Sequence, residues 1–317
     1  MTEIVKNDLK SVDLELTMDK FVMVGCEDLD SEKIDRPSIT YWQDAWRRFK
    51  ANKIAVSAAL LLIIIALLTV FGPMISKYDF SQVNPTVKNS LPSVEHWFGT
   101  DKLGRDLFTR VCIGGRVSII IGIICTLVII VIGTIYGGIS GYFGGYVDDI
   151  MMRIVEIIGS IPQLILIILI SLILGRGMIP LIIAMTITAW GNTARMIRGQ
   201  VLQLKEMEFV LAEQGLGASS WRIIIKHLIP NTLGLLIVRI TFSVPWFIFN
   251  EAFLSYIGLG VQPPDTSWGA LAAGAQQNML FYPYQLFFPC LLISLTMLTF
   301  NLMGDGLNDA LDPRLRQ

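Results

Sequence analysis

The sequence is poor in histidine, cysteine and charge, and each shortage excludes a class of protein. Its two histidines, His96 and His227, are too few for a histidine metal cluster within one chain. The four cysteines are scattered without a CxxC pair, so neither a disulfide framework nor a cysteine metal site is expected. Charged residues make up only 16% and the net charge is -1, which gives no support to a nucleic-acid partner. No segment matches GxxxxGK[ST], so the chain is not expected to bind ATP through a P-loop, and we expect no cofactor in it.

Apolar residues, by contrast, are abundant and lie in long runs. They make up 53% of the chain, and the mean hydropathy is +0.59, so an ordinary water-soluble surface would be hard to build. A bilayer core of about 30 Å needs roughly 20 apolar residues in a helix. Six stretches meet or approach this length: 54–75, 117–142, 157–174, 178–194, 233–258 and 285–303. The sequence therefore predicts an all-α membrane protein with six transmembrane helices.

Arginine and lysine in the short flanks predict the orientation. Basic residues cluster before the first span, in the segment 195–226 and at the C-terminal tail, and six spans place all three clusters on one side. The loop after the first span also carries five basic residues, which conflicts with this rule. Residues 1–50 show no signal peptide. We therefore expect a multi-pass protein of the cytoplasmic membrane with both termini in the cytoplasm.

The predicted organisation has three parts. Residues 1–38 form a cytoplasmic tail with too few large apolar residues for a domain. Residues 39–52 form an amphipathic helix at the membrane surface, because Trp42, Trp46 and Phe49 recur at helical spacing; an aromatic and basic anchor is favoured over a partner-binding role. Residues 53–317 form the transmembrane domain, with outer loops 77–113 and 259–284 and a cytoplasmic loop 196–232.

Four glycines recur every fourth residue along the second span: Gly133, Gly137, Gly141 and Gly145. Glycines at this spacing flatten one helix face, so another helix can approach closely. Packing within one chain, a dimer interface and a sliding surface all stay open. The overlapping Gly138-Ile139-Ser140-Gly141 matches the GxSG pattern of intramembrane serine proteases. No histidine lies in a span to serve as the base, so we interpret the match as chance.

The polar residues of the fifth span are the candidates for a substrate path. Glu251 is interpreted first as a satisfied structural carboxylate and alternatively as a path-lining group together with Trp246 and Asn250. No chain of acidic groups crosses the spans, which argues against a proton- or sodium-coupled carrier. Pro162 and Pro245 interrupt the third and fifth spans, and each permits a kink that either lines a pathway or fits a curved helix.

The polar segment between the fourth and fifth spans predicts a helical hairpin. Residues 205–214 are helix-forming, Gly215 and Gly217 break that helix, Ser219 or Ser220 caps a second helix opening at Trp221, and Pro230 ends it.

This hairpin resembles the cytoplasmic loop of the membrane subunits of ATP-binding-cassette importers, whose pattern is EAA, three residues, Gly, nine residues, I-x-L-P. Leu211-Ala212-Glu213 stands at the EAA place, Gly217 at the glycine, and His227-Leu228-Ile229-Pro230 at the end. The spacing is intact, whereas Leu211 replaces the first glutamate and Glu213 the second alanine. The resemblance implies contact with an ATPase through Leu211, Ala212, Glu213, Gly217, Ala218, His227 and Pro230.

Three further segments resemble the C-type permease of dipeptide and oligopeptide importers. Residues 98–110 are similar to GTDxxGRDxxSR, residues 251–260 to EASLSFLGLG, and residues 304–314 to GDxLRDxLDPR. The likeness covers roughly residues 40–317. It implies motif roles in the structure for Gly99, Asp101, Gly104, Arg105, Asp106, Asp305, Asp312 and Arg314.

The resemblance implies a type I importer fold and a non-enzymatic transport subunit. The expected partners are a second related permease, two cytoplasmic ATPases that bind ATP and Mg²⁺, and an extracytoplasmic peptide-binding protein. The same permease type also carries nickel and other small solutes, which stays the alternative. A channel, a secondary carrier and a GxSG protease are the alternatives outside this class.

Overall fold

The computed structural model describes residues 40–312, and nearly all regular structure in this range is helical. The predicted tail 1–38 and the motif residue Arg314 lie outside the described residues. The helices have these bounds: α1 Tyr41–Ala51, α2 Lys53–Ile75, α3 Leu107–Phe143, α4 Gly145–Ser160, α5 Gln163–Leu174, α6 Met178–Leu204, α7 Glu208–Gly215, α8 Ser220–Arg222, α9 Ile229–Asn231, α10 Leu233–Tyr256, α11 Trp268–Gln276 and α12 Tyr284–Leu311. A 3₁₀ turn covers Pro85–Val87, and a π-helical turn, Ile223–Leu228, joins α8 to α9.

Four of these helices are long and apolar enough to cross a membrane: α2, α3, α10 and α12. The pair α4 and α5 makes a fifth if the two helices, bent by 84° at their junction, count as one span. Helix α6 falls short of this criterion, since its second half carries polar residues such as Asn192 and Arg195. The all-α membrane class is confirmed, and the count of six stays a prediction.

The third predicted span, 157–174, is not one continuous helix. Helix α4 ends at Ser160 and α5 begins at Gln163, with Ile161 extended at φ -85° and ψ 129°. Pro162 causes the break, because its ring disfavours helical geometry in the preceding residue and removes a backbone donor. Pro245, in contrast, lies inside the continuous helix α10. The 12 residues of α5 extend about 18 Å, less than a bilayer core.

Helices extend into the predicted loops or lie within them. Helix α3 begins at Leu107, inside the predicted outer loop 77–113, because the Asp106 side chain accepts a hydrogen bond from the Thr109 amide at 2.9 Å. Helix α6 continues to Leu204, inside the predicted loop 196–232. The predicted loop 259–284 contains a helix of its own, α11, capped by Ser267.

The glycine stripe packs within the chain, against α6. A Cβ added to Gly133 would lie 2.6 Å from the Thr193 Cβ, and one on Gly137 would lie 2.3 Å from the Ala194 carbonyl oxygen. An added Cβ on Gly141 would likewise contact Val201. Residue numbers therefore increase in the same direction along both helices at their contact, so α3 runs parallel to α6. Gly145 has no atom within 4 Å of its added Cβ and takes no part.

Helix α3 also defines the two ends of the bundle. Near its start, an added Cβ on Gly114 would meet Ser267; near its finish, one on Gly138 would meet Ile224. Residues 205–232 therefore lie at one end, here called the hairpin end, and α11 lies at the opposite end.

Candidate functional site

The segment 205–232, here called the hairpin, reverses direction at Gly217. After α7, the Gly217 amide donates to the Gln214 carbonyl and the Ala218 amide donates to the Glu213 carbonyl, both at 3.0 Å. This pair of bonds is the Schellman arrangement of a helix end, which needs a left-handed residue. Gly217 supplies it with φ +81°. The predicted break at Gly217 is confirmed.

The second arm of the hairpin begins at a serine cap. The Ser219 hydroxyl accepts a hydrogen bond from the Arg222 amide at 3.4 Å, and α8 starts at Ser220. The helix then passes through the π-helical turn into α9. Pro230 lies within α9, which ends at Asn231, so the arm ends one residue later than predicted.

One face of the hairpin is anchored in the protein core. Val210, Ile223, Ile224 and Leu228 are all buried. They belong to one apolar cluster with buried residues of α3 and α6, including Ile129, Ile197 and Val201. The hairpin is therefore fixed to the two parallel helices and is not a loose connector.

The exposed part of the hairpin carries large apolar side chains among its polar ones. Leu216, at the reversal, is 84% exposed. Leu211, Trp221 and Ile225 are each more than half exposed on the same segment. We call these four residues the apolar hairpin face. Large apolar side chains that extend from a rigid base in this way are typical of a protein docking surface.

The structure joins the predicted motif positions across the two arms. His227 Nε2 lies 3.4 Å from Glu213 Oε1, which links the second arm to the first. Leu211, Ala212 and Pro230 are exposed, and Ala218 is half-buried in the turn. The residues at the EAA place and at the motif's end therefore lie together, although Leu211 and Glu213 depart from the pattern.

The predicted motif at 98–110 forms a locked turn ahead of α3. Asp101 accepts hydrogen bonds from the Arg105 amide at 2.9 Å and from Arg105 Nε at 2.7 Å. Gly104 has φ +75°, and a Cβ there would lie 1.8 Å from the Asn84 carbonyl oxygen. Asp106 also contacts His96, with 2.8 Å between Oδ1 and Nδ1. The Gly99 amide donates to the His96 carbonyl at 2.9 Å.

The C-terminal motif lies at the end of α12. Asp305 is an exposed residue of this helix, and Asp312 directly follows its last residue, Leu311. Arg314 lies beyond the described residues.

Glu251 has the geometry of a structural carboxylate. It is fully buried, and it accepts hydrogen bonds from Ser118 and Ser255, both at 2.7 Å. The Trp268 amide joins this network through the Ser118 hydroxyl at 3.2 Å. Glu251 therefore ties α3, α10 and the start of α11 together, which is the first of the two interpretations above.

A polar cleft lies among α5, α6 and α10. It encloses about 390 Å³. Its lining includes the polar residues Gln163, Thr188, Asn192, Arg239 and Ser243, together with Trp246. Of the three candidate path residues, Trp246 lines this cleft, whereas Asn250 donates to the Trp246 carbonyl at 2.8 Å.

The sequence alone did not predict this cleft. The signals were present, since Thr188 and Asn192 are four residues apart on α6, and Arg239, Ser243 and Trp246 fall on one face of α10. Their convergence depends on the break at Pro162, which brings the start of α5 beside them.

The GxSG serine has no protease geometry. Ser140 is buried, and its hydroxyl donates to Asp148, which also accepts hydrogen bonds from Nε and Nη2 of Arg198. The two histidines contact Asp106 and Glu213 instead. Among residues 40–312, no group of three or more histidine, cysteine or acidic side chains is placed to hold a metal ion.

Comparison with known proteins gives matches along most of the chain. Residues 130–317 match the model of the binding-protein-dependent transport system inner membrane component, and residues 40–92 match the N-terminal TM domain of oligopeptide transport permease C. The oligopeptide transport system permease protein OppC of Bacillus subtilis is 49% identical over 91% of this chain and 94% of its own. The dipeptide transport system permease protein DppC of the same organism is 46% identical over 94% and 93%.

A solved structure has a similar fold. The MetNI methionine ABC transporter, in an inward-facing conformation, aligns with a TM-score of 0.50 and 20% identity, over 64% of this chain and 96% of that one.

The protein is a multi-pass membrane permease, a transport subunit and not an enzyme. Its apolar spanning helices, its anchored hairpin and these relatives all support this class. The chain belongs to the family of binding-protein-dependent transport system inner membrane components. Its N-terminal part matches the C-type oligopeptide permeases within that group. A permease of this family works in a transporter complex with other subunits.

Proposed function

We propose that this chain is one transmembrane half of an ATP-driven importer that carries di- and oligopeptides across the cytoplasmic membrane. The observation that carries this proposal is the hairpin, which is anchored in the core on one face and offers four large apolar side chains on the other. In this proposal the hairpin and both termini lie in the cytoplasm.

The apolar hairpin face is the docking surface for a cytoplasmic ATPase subunit. Leu216 stands at the tip, and Leu211, Trp221 and Ile225 lie on the two arms beside it. Burying such side chains stabilises an interface by about 1.5–3 kcal/mol each. The ATPase subunits bind ATP and Mg²⁺. A second related permease completes the pore, and an extracytoplasmic peptide-binding protein delivers the solute.

The hairpin transmits movement because it cannot bend freely against its base. Its buried residues pack on the α3–α6 pair, where glycines hold the two helices in close contact. When ATP draws the ATPase subunits together, the hairpin carries that displacement to α3 and α6 as one body. The permease halves then exchange inward for outward access.

Peptides are the proposed solutes because of the relatives. Two of them, at 49% and 46% identity, are named for oligopeptide and dipeptide transport. A third, 37% identical over 89% of this chain, is the glutathione transport system permease protein GsiD of Pectobacterium atrosepticum, and glutathione is itself peptide-like.

The test is reconstitution of the chain with its ATPase, permease and binding-protein partners, followed by measurement of ATP hydrolysis and peptide uptake. We expect loaded binding protein to stimulate hydrolysis and labelled peptide to accumulate. A stable chain with no associated ATPase would overturn the proposal. Stimulation by nickel or another small solute, without stimulation by peptides, would reassign the substrate.

A matched pair of variants tests the docking surface. Leu216→Glu places a charge on the apolar hairpin face, whereas Leu280→Glu changes a leucine of similar exposure, 87%, in the loop before α12. We expect Leu216→Glu to lose co-purification of the ATPase and Leu280→Glu to retain it. Equal ATPase recovery from both variants would contradict docking at this face.

A further inference from the structure

Arg239 is a cation without a counter-charge in the part of the chain that the structure describes. Among residues 40–312 it forms no hydrogen bond or ion pair, and its buried Nε has no partner. It lies six residues after Leu233, the first residue of α10, or about 9 Å along that helix. Arg239 is one of the residues that line the polar cleft.

The rest of the cleft also lacks an anion. None of its described lining residues is Asp or Glu. Gln163, across the cleft on α5, has a buried amide nitrogen, Nε2, that also lacks a hydrogen-bond partner. An adjoining cavity of about 290 Å³ shares Gln163, Thr188 and Asn192 and adds a second arginine, Arg195. Arg239 and Arg195, which donates to Asn192 at 3.1 Å, therefore line two adjoining cavities that share Gln163.

An unpaired charge inside a membrane protein is expensive, so such groups pair with something. The start of α5 favours an anion at the same place. Helix α5 begins at Gln163 without a side-chain cap, and a helix N-terminus carries partial positive charge. In transporters, the N-termini of broken helices commonly face anionic groups of the solute.

We propose that this cleft is a carboxylate-binding subsite on the solute path, where Arg239 pairs with the terminal carboxylate of a peptide and Gln163 donates a second hydrogen bond. This inference rests on the proposed function. A terminal carboxylate is shared by all peptides whatever their side chains, so one fixed cation serves solutes of many sequences. Phe242 and Trp246 add aromatic surface to the lining of the same cleft.

The experiment compares a tripeptide with its C-terminal amide in the reconstituted complex, at matched loading of the binding protein. The two peptides share every group except the carboxylate. Uptake rates are measured for the wild type, Arg239→Gln and Arg239→Lys. The control is Arg153→Gln, which removes an exposed arginine of α4 that pairs with Glu156 at 3.0 Å outside the cleft.

We expect Arg239→Gln to slow uptake of the free acid on the order of tenfold, because the carboxylate loses a charge-assisted partner. Uptake of the amide by the same variant should stay close to the wild-type rate, which also shows that the variant is assembled. Arg239→Lys should retain most uptake of the acid, and Arg153→Gln should leave both peptides unchanged.

Equal loss of both peptides in Arg239→Gln would overturn the proposal, since Arg239 would then pair with an acidic group of a partner subunit. Unchanged uptake of both would overturn it as well. If Arg239→Gln does not assemble, Gln163→Leu is compared with the same two peptides, and equal rates would again overturn the proposal. Failure of the wild type to take up either peptide would instead refute the proposed function, and this inference with it.

Discussion

The charged residues within the spans differ in whether other residues of the chain form hydrogen bonds with them. Glu251 is fully buried, yet two serine hydroxyls donate to its two carboxylate oxygens. Arg239 lies on the same helix and has no such partners among the described residues. The sequence shows both as charges within a span. Only the contacts separate a carboxylate that holds helices together from a cation that faces a cleft.

The turn of the hairpin depends on the left-handed backbone of Gly217. Valine at Gly217 must adopt φ +81°, which costs a residue with a Cβ about 1–2 kcal/mol or more. Nothing lies within 4 Å of an added Cβ there, so the effect is strain in the turn and not a clash. We expect Gly217→Val to reduce peptide-stimulated ATP hydrolysis roughly tenfold while the chain still inserts in the membrane.

Gly215→Val is the control for this variant. Gly215 is also in the hairpin and also has open space around its added Cβ, but its φ is ordinary. Stimulated hydrolysis is measured for both variants at equal amounts of assembled complex. Normal transport by Gly217→Val would show that the shape of this turn does not matter for coupling.

At the scale of elements, the close contact between α3 and α6 depends on glycines, which have no side chain. A Cβ on Gly137 would lie 2.3 Å from the backbone oxygen of Ala194, which cannot move aside as a flexible side chain does. We therefore expect Gly137→Ala to lower the free energy of unfolding by about 1–3 kcal/mol, as overpacking does in other cores. Thermal unfolding of the purified chain in detergent measures the change.

The matched variant is Gly199→Ala on α6, a helical glycine with no atom within 4 Å of its added Cβ. Alanine there should leave stability unchanged or raise it slightly, because alanine has the higher helix propensity. If both alanine variants unfold at the same temperature, the close approach of α3 and α6 contributes nothing to stability.

The break between α4 and α5 could be predicted from sequence only as a possible kink at a proline. Pro162 and Pro245 both predicted a kink, and the sequence left open whether either lines a pathway. Pro162 separates two helices at an angle of 84°, whereas α10 passes through Pro245 uninterrupted. The two prolines differ in packing: Pro245 is buried, whereas Pro162 is exposed and lines the cavity that adjoins the cleft.

At the scale of the whole molecule, the two ends of the bundle have different structural features. The hairpin end has the open apolar face, and the opposite end has the turn around Asp101 and the network around Glu251. This polarity suits a subunit that receives movement at one end and solute at the other.

The orientation of the two ends is tested by cysteine labelling in intact cells. In a variant without Cys26, Cys112, Cys125 and Cys290, one new cysteine replaces either Lys102 or Gln214, which are both exposed, at opposite ends. We expect a membrane-impermeant maleimide to label Lys102→Cys at least about tenfold faster than Gln214→Cys, because a lipid bilayer excludes charged reagents.

Permeabilised cells provide the control, since both positions should then react. Labelling of Gln214→Cys from outside intact cells would place the hairpin away from the ATPases and would contradict the proposed orientation.

The sequence by itself determined the class, the hairpin and the family. Long apolar runs give membrane helices because the bilayer offers no water to unpaired backbone groups. Gly217 and Ser219 set the hairpin by local backbone rules, so the turn and the cap were both predicted. These features depend on residues that are near one another along the chain.

Tertiary structure alone decided which distant residues meet. It assigned the glycine stripe to contact within the chain, placed Glu251 among serines from other segments, and opened the cleft at Arg239. Helical periodicity predicts which residues share a face, but the partner of that face depends on the angle at Pro162 and on the parallel packing of α3 and α6. Both are set by the sum of many small contacts across the bundle, which no local pattern in the sequence encodes.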